Sequence, residues 1–180
     1  MAPEARATEA PQVVLTTDRL ILRKLAVADA PFILALLNDP SWLRFIGDKG
    51  VRTLGDARDY LREGPMAMYE REGFGLYMTE LKQSHIPIGM CGLIKRASLE
   101  DVDIGFAFLP DYRGQGYAHE AASAVLEYGK TTFGLPRVVA ITALDNAGSS
   151  RLLAKLGMKP EKTVKLDGHD HEVTLYASDF

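Results

Sequence analysis

The stretch Asp103-Ile104-Gly105-Phe106-Ala107-Phe108-Leu109-Pro110-Asp111-Tyr112-Arg113-Gly114-Gln115-Gly116-Tyr117-Ala118 is the part of this sequence best suited to chemistry. A strand ends at Pro110, two glycines follow, and a helix of small residues starts at Gly116. Backbone N–H groups at a helix start lack intrahelical partners and carry partial positive charge, so such a loop suits a phosphate or pyrophosphate. Glycines let the backbone approach the phosphates, and Ala118 and Ala121 let the helix lie close to a sheet. A nucleoside-triphosphatase loop would continue Gly-Lys-Ser/Thr, whereas Tyr117-Ala118 follows here. A dinucleotide fingerprint would need a third glycine where His119 stands, and it would open a βαβ unit. On spacing alone, the stretch fits an ordinary strand–loop–helix joint equally well.

Other reactive side chains offer less. Cys91 lies in the apolar run Met90-Cys91-Gly92-Leu93-Ile94 and reads as a buried hydrophobe rather than a nucleophile. His169 and His171 form a single His-x-His in a Leu166–His169 turn and read as exposed. With His85 and His119 they make no metal-ligand pattern, and no metal is expected.

The whole chain sets the context. It has 180 residues, 47% hydrophobic and 25% charged, with a formal net charge of −3. That charge gives no steering toward nucleic acid or anionic membrane, and neither is expected as a partner. No apolar run is long enough to span a bilayer. The N-terminus carries Glu4 and Glu9 and has no secretory signal. One cysteine cannot form an internal disulfide, which points to the cytoplasm. Residues 1–12, rich in Ala, Pro and Glu, read as a loose tail ahead of one domain over 13–180.

The elements that must position the loop follow from periodicity. Strands are expected at Arg19–Leu25, Phe74–Leu81, Ile86–Lys95 and Val102–Leu109. Helices are expected at Val27–Asn38, Ser41–Ile46 and Thr53–Arg71, the last interrupted at Gly64-Pro65. Then come a helix over Gly116–Phe133, a buried strand Val138–Ala143, a helix Ser149–Leu156 closed by Gly157, and a hairpin of Lys159–Lys165 with Glu172–Tyr176. A meander followed by strand–helix–strand–helix and a hairpin gives an α/β (α+β) fold. Its sheet would be mixed, mostly antiparallel and six- to seven-stranded, with helices on both faces.

Three segments in this order resemble the GNAT N-acetyltransferase superfamily. Arg113–Ala118 is similar to its Q/R-x-x-G-x-G/A signature, and Asn146-Ala147-Gly148-Ser149 through Lys155-Leu156-Gly157-Met158 to its N-x-x-S-x-x-x-L-x-K-x-G-F segment. Leu15–Arg23 with Asp39-Pro40 resembles the opening of the RimJ/RimL-type ribosomal-protein N-terminal acetyltransferases. The resemblance implies acetyl-CoA as cofactor. Backbone groups of Phe106, Ala107, Phe108 and Leu109 would line the pantetheine arm, one amide polarising the thioester carbonyl. Arg113, Gly114, Gln115, Gly116, Tyr117 and Ala118 would hold the pyrophosphate. Asn146 and Ser149 would contact the pantetheine or adenosine side, and Arg151 or Lys155 the 3′-phosphate, unless those two only face solvent on their helix.

The catalytic pair is less regular. The family's usual proton-donating tyrosine is replaced here by Leu153, so Ser149, Tyr117 or water must serve. Asp103 stands where many members place the glutamate that deprotonates the amine, although a solvent-facing strand carboxylate fits the same pattern. The expected activity is acetyl transfer to an amine by direct attack in a ternary complex. The acceptor would be a protein N-terminus or a small molecule, and the protein a monomer or homodimer. A CoA-binding regulatory module without turnover is the alternative, and Leu153 is what supports it.

Overall fold

A computed structural model describes residues 10–180, so most of the expected tail lies outside the described residues. One eight-stranded sheet has the order β1-β2-β3-β4-β5-β6-β8-β7. Its strands are β1 Val13–Thr16, β2 Leu20–Lys24, β3 Leu76–Leu81, β4 Pro87–Ile94, β5 Asp103–Phe108, β6 Arg137–Ala143, β7 Lys159–Val164 and β8 Val173–Asp179. All neighbours are antiparallel except β5 and β6. The expected mixed architecture is present with one strand more. β1 is a short outer strand whose Val13 is exposed, so it lacks the alternation that marks a half-buried strand; pairing with Leu22 and Arg23 defines it instead.

Helices cover both faces. α1 Ala30–Leu37, α2 Pro40–Phe45 and α3 Leu54–Leu61 lie on one side, while α4 Ala67–Glu72 stacks its Tyr69 on Tyr77 of β3. Ile33, Leu36, Leu37, Trp42, Ala57 and Leu61 pack there against Met78 and Met90. On the other side α5 Tyr117–Phe133 packs Ala121, Ala122, Val125 and Leu126 against Leu22, Tyr77, Cys91 and Leu93. Tyr77 and Met78, like Met90 and Cys91, point to opposite faces, as strand geometry requires. Between α3 and α4 the chain makes a π turn over Arg62–Met66 instead of breaking. Pro65 has no N–H to continue the helical ladder, and the wider turn absorbs it. No helix among the described residues is long and apolar enough to cross a membrane.

Side chains set the helix starts. Thr53 caps α3 through Asp56 N, and Asp56 returns a bond to Thr53 N. Asp39 caps α2 through Ser41 N. Asn146 caps α6 (Ala147–Lys155) through Ser149 N at 3.2 Å.

A buried ion cluster fixes the turn leading into α1 against the sheet. Arg23 on β2 donates from Nε to Glu80 at 2.6 Å and from both terminal nitrogens to Asp29 at 2.8 and 2.9 Å. Both carboxylates and the guanidinium are almost wholly buried. Removing the cation would leave two buried carboxylates unpaired, which is costlier than losing an exposed pair. Arg23→Met should therefore lower the unfolding free energy by about 3–5 kcal/mol. Urea unfolding of the variant beside the wild type checks this, and a loss below about 1 kcal/mol would mean that water already solvates the cluster.

Candidate active site

β5 and β6 pair only at Asp103 and Val139, where Val139 N donates to Val102 O at 3.0 Å. Beyond that point they diverge. β5 continues along β4 and β6 along β8, so their facing edges carry no ladder between them. The gap is the floor of a cleft of about 1040 Å³. Phe106, Ala107 and Phe108 line one wall and Ile141, Thr142 and Ala143 the other. Unpaired strand edges present backbone N–H and C=O groups to whatever lies between them.

The glycine loop closes one end. Among the described residues, the amides of Gly114 through His119 donate to no backbone or side-chain acceptor. Gly114 and Gly116 are left-handed at φ +72° and +83°, which an L-residue adopts only with strain. A Cβ at Gly116 would also lie 3.2 Å from Arg19 Nη2. The loop thus forms a cradle of free donors at the start of a long helix, fit for a pyrophosphate.

Two arginines hold the cradle. Arg19, in the β1–β2 turn, donates to Gln115 O at 3.0 Å and to Glu120 at 2.9 Å, and it stacks on Tyr117 at 4.3 Å. Thr17 Oγ also reaches Glu120, at 2.6 Å. Burial raises the Glu120 pKa, but these bonds outweigh it and hold the carboxyl below its ordinary value. Arg113 also lines the cleft. Its guanidinium donates to Phe108 O at 2.9 Å, Ser41 Oγ at 2.9 Å and Asp39 at 3.0 Å, latching the end of β5 to α2. Its amide donates to Pro110 O. Arg113 therefore shapes the loop, with three of its five N–H donors engaged by protein.

The remaining expected residues divide. Tyr117, Ala118, Asn146, Ser149, Arg151 and Lys155 line the cleft. Gln115 folds back onto Asp111 O, and Leu109 packs against the α1–α3 core, so neither lines it. Leu153 is buried in the core. Across the mouth, Arg44 of α2 meets Asp145 of the β6–α6 loop at 3.2 Å.

Asp103 sits at the point where the strands meet. Its carboxylate is 1% exposed and takes Arg96 Nε at 3.1 and 3.2 Å, so it is not a solvent-facing strand carboxylate. Burial pushes its pKa up to about 6 against the lowering effect of Arg96. Around it the cleft gathers groups that the sequence had not marked: Lys49 from the α2–α3 connection, Tyr60 from α3 and Arg96 from the β4–β5 connection. Burial pushes the Tyr60 phenol up to about 12. His169, expected in an exposed turn, lines the cleft as well, and its Nδ1 is buried with no partner. No spacing rule could have joined these residues, because three separate connections and α3 bring them together.

A splayed parallel pair leading from a free-amide cradle to a buried carboxylate defines a transferase that draws its group from a long phosphorylated carrier. Residues 19–159 match the family model for the acetyltransferase (GNAT) domain. The uncharacterised Bacillus subtilis N-acetyltransferase YoaA is 29% identical over 170 residues, 91% of this chain and 95% of that protein. A crystal structure of an acetyltransferase from Agrobacterium tumefaciens superposes with a TM-score of 0.81 at 24% identity, covering 98% and 99% of the two chains. RimL, a ribosomal-protein α-N acetyltransferase in complex with coenzyme A, superposes with a TM-score of 0.77 at 18% identity over 93% and 98%; at such identities the likeness is one of fold. The chain belongs to the GNAT acetyltransferases and is an acetyl-CoA-dependent N-acetyltransferase.

The burial of Asp103 has a consequence for stability. A carboxyl whose folded pKa exceeds its unfolded value stabilises the fold in its protonated form. That contribution is full below the unfolded value of 3.8 and is lost as pH rises through about 6. The shift corresponds to roughly 3 kcal/mol. Asp103→Asn should flatten the pH dependence of the unfolding free energy across this window by up to that amount. Urea titrations at several pH values read the slope, and a slope equal to wild type would place the carboxyl in water.

Proposed function

We propose that the acceptor amine attacks the thioester directly within a ternary complex, with Asp103 as the base. The observation that carries this reading is a carboxylate buried where the two strands part, its pKa raised to about 6. A base with a pKa near the working pH is ionised and still accepts a proton well.

In this reading the amides of Gly114, Gln115, Gly116, Tyr117 and Ala118 take the pyrophosphate, and the free edge of Phe106–Phe108 holds the pantetheine arm. Acetyl-CoA supplies an acyl carbon activated by a good leaving group. As the new N–C bond forms and the C–S bond breaks, Asp103 takes the proton from the amine. Ser149, half-buried on the first turn of α6, gives the departing sulfur a proton and is reprotonated from solvent. It replaces the tyrosine that Leu153 cannot be. Arg151 and Lys155, exposed on α6 and facing the cleft, take the 3′-phosphate. The acceptor is any amine whose nitrogen can reach Asp103. A buried lone cysteine and a need for acetyl-CoA fit a reducing cytoplasm.

Two measurements test these roles. Asp103→Asn should lower kcat/KM by about 10²-fold with acetyl-CoA binding intact, and the limb of the pH–rate profile near 6 should vanish. A variant within about threefold of wild type across the profile removes Asp103 from the mechanism. Separately, Arg151→Ala or Lys155→Ala should weaken CoA by roughly 1.5–3 kcal/mol while leaving dephospho-CoA nearly unchanged. Equal losses for both ligands would show that neither side chain reads the 3′-phosphate.

A further inference from the structure

The closed end of the cleft holds more positive charge than acetyl transfer needs. Asp103 engages only Nε of Arg96. The terminal nitrogens of that guanidinium have no acceptor among the described residues, although the side chain lines the cleft and is only 29% exposed. Lys49 lines the same cleft and pairs with no carboxylate among the described residues. Its ammonium is open to solvent but crowded by the cleft wall, and that crowding, with repulsion from Arg96, pushes its pKa below the ordinary value. His169 completes the group. Desolvation pushes its pKa down, helped by the charges of Arg96 and Lys49, while the Asp167 backbone and the Asp170 charge pull the other way.

Arg96, Lys49 and His169, from three separate connections, therefore line a cleft in which the carboxylate at hand, Asp103, is already bonded to Arg96. The two cations, Arg96 and Lys49, repel each other, and an entering anion relieves that repulsion. An anion there would meet the open edge of a guanidinium, whose parallel N–H groups match a carboxylate in bidentate fashion.

We propose that the acceptor is a small α-amino acid or a close analogue, whose carboxylate lies between Arg96 and Lys49 and so presents its amine to Asp103. This rests on the reading of Asp103 as the base. The geometry sets the distance between the two groups of the acceptor. The nitrogen must reach Asp103, and the anion site is the far edge of the planar guanidinium whose Nε touches that same carboxylate. Only a short carbon link separates them, as in an α-amino acid. A peptide N-terminus carries an amide at that position and leaves the cations unmatched. A polyamine adds positive charge to a region that already has an excess.

The test compares each common α-amino acid with its α-amide and its decarboxylated amine, together with neutral peptides, by release of free thiol at saturating acetyl-CoA. At least one amino acid should be turned over with kcat/KM about tenfold or more above its amide. Lys49→Gln and Arg96→Gln should raise KM for that acid by about tenfold and bring the acid and amide together, and Lys49→Glu should reverse the preference. Equal or better use of amides, decarboxylated amines or peptides by the wild type overturns the proposal, as does turnover of none of the acids. The ratio of acid to amide reads this proposal alone. The Asp103 reading stands or falls on the absolute rate of Asp103→Asn with whichever acceptor is used.

Discussion

β5 and β6 are hydrogen-bonded at their beginnings and nowhere else. Each strand is bound along its length to its outer neighbour, β5 to β4 and β6 to β8, and the two sets of bonds pull their inner edges apart. Unpaired edges inside a sheet are expensive unless something fills them. In the proposed reading the gap takes its partner from the chemistry, because the amide-containing arm of coenzyme A lies along the open edge of β5. The same divergence sets a place where a strand-borne carboxylate is both buried and next to an open slot. Asp103 occupies that place, and its raised pKa follows from it.

The cradle at the far end is rigid before any ligand arrives. Arg113 fastens the end of β5 to the cap of α2, and Arg19 with Thr17 fastens the start of α5 to the β1–β2 turn. Gly114 and Gly116 already sit in the left-handed conformation that aims the amides outward. A loop held from both sides loses little freedom when a pyrophosphate binds, so more of the contact energy appears as affinity.

What could be read from the sequence was local. The loop and the helices flanking it announce themselves within a few residues, because glycine placement and helical periodicity act over one or two turns, whereas the start of α6 lies two residues earlier than expected, behind the Asn146 cap. β1 could not be read, since an outer strand with Val13 in solvent has no alternation and exists through its bonds to β2. The π turn at Pro65 was legible as an interruption but not as a continuation. The lobe of Lys49, Tyr60, Arg96 and His169 left no trace, because its members are scattered along the chain and only the folded connections assemble them. Arg113 shows the opposite case. Its type and position match a phosphate ligand, and the fold adds a structural task that spacing does not show, bonds to a backbone carbonyl and to the cap of α2.

The clasp between the β1–β2 turn and α5 joins residues 101 and 103 positions apart. Loops of that length close late, after the β1–β2 and β3–β4 hairpins have formed from contacts between sequence neighbours. A chain still growing from the ribosome can therefore build half its sheet before Glu120 exists to be clasped. The ability to hold coenzyme A then arrives only near the end of folding. Ligand that binds the finished state and not its precursors draws the population toward completion. Cellular acetyl-CoA would in this way influence how much of the newly made chain stays folded, besides how fast it turns over.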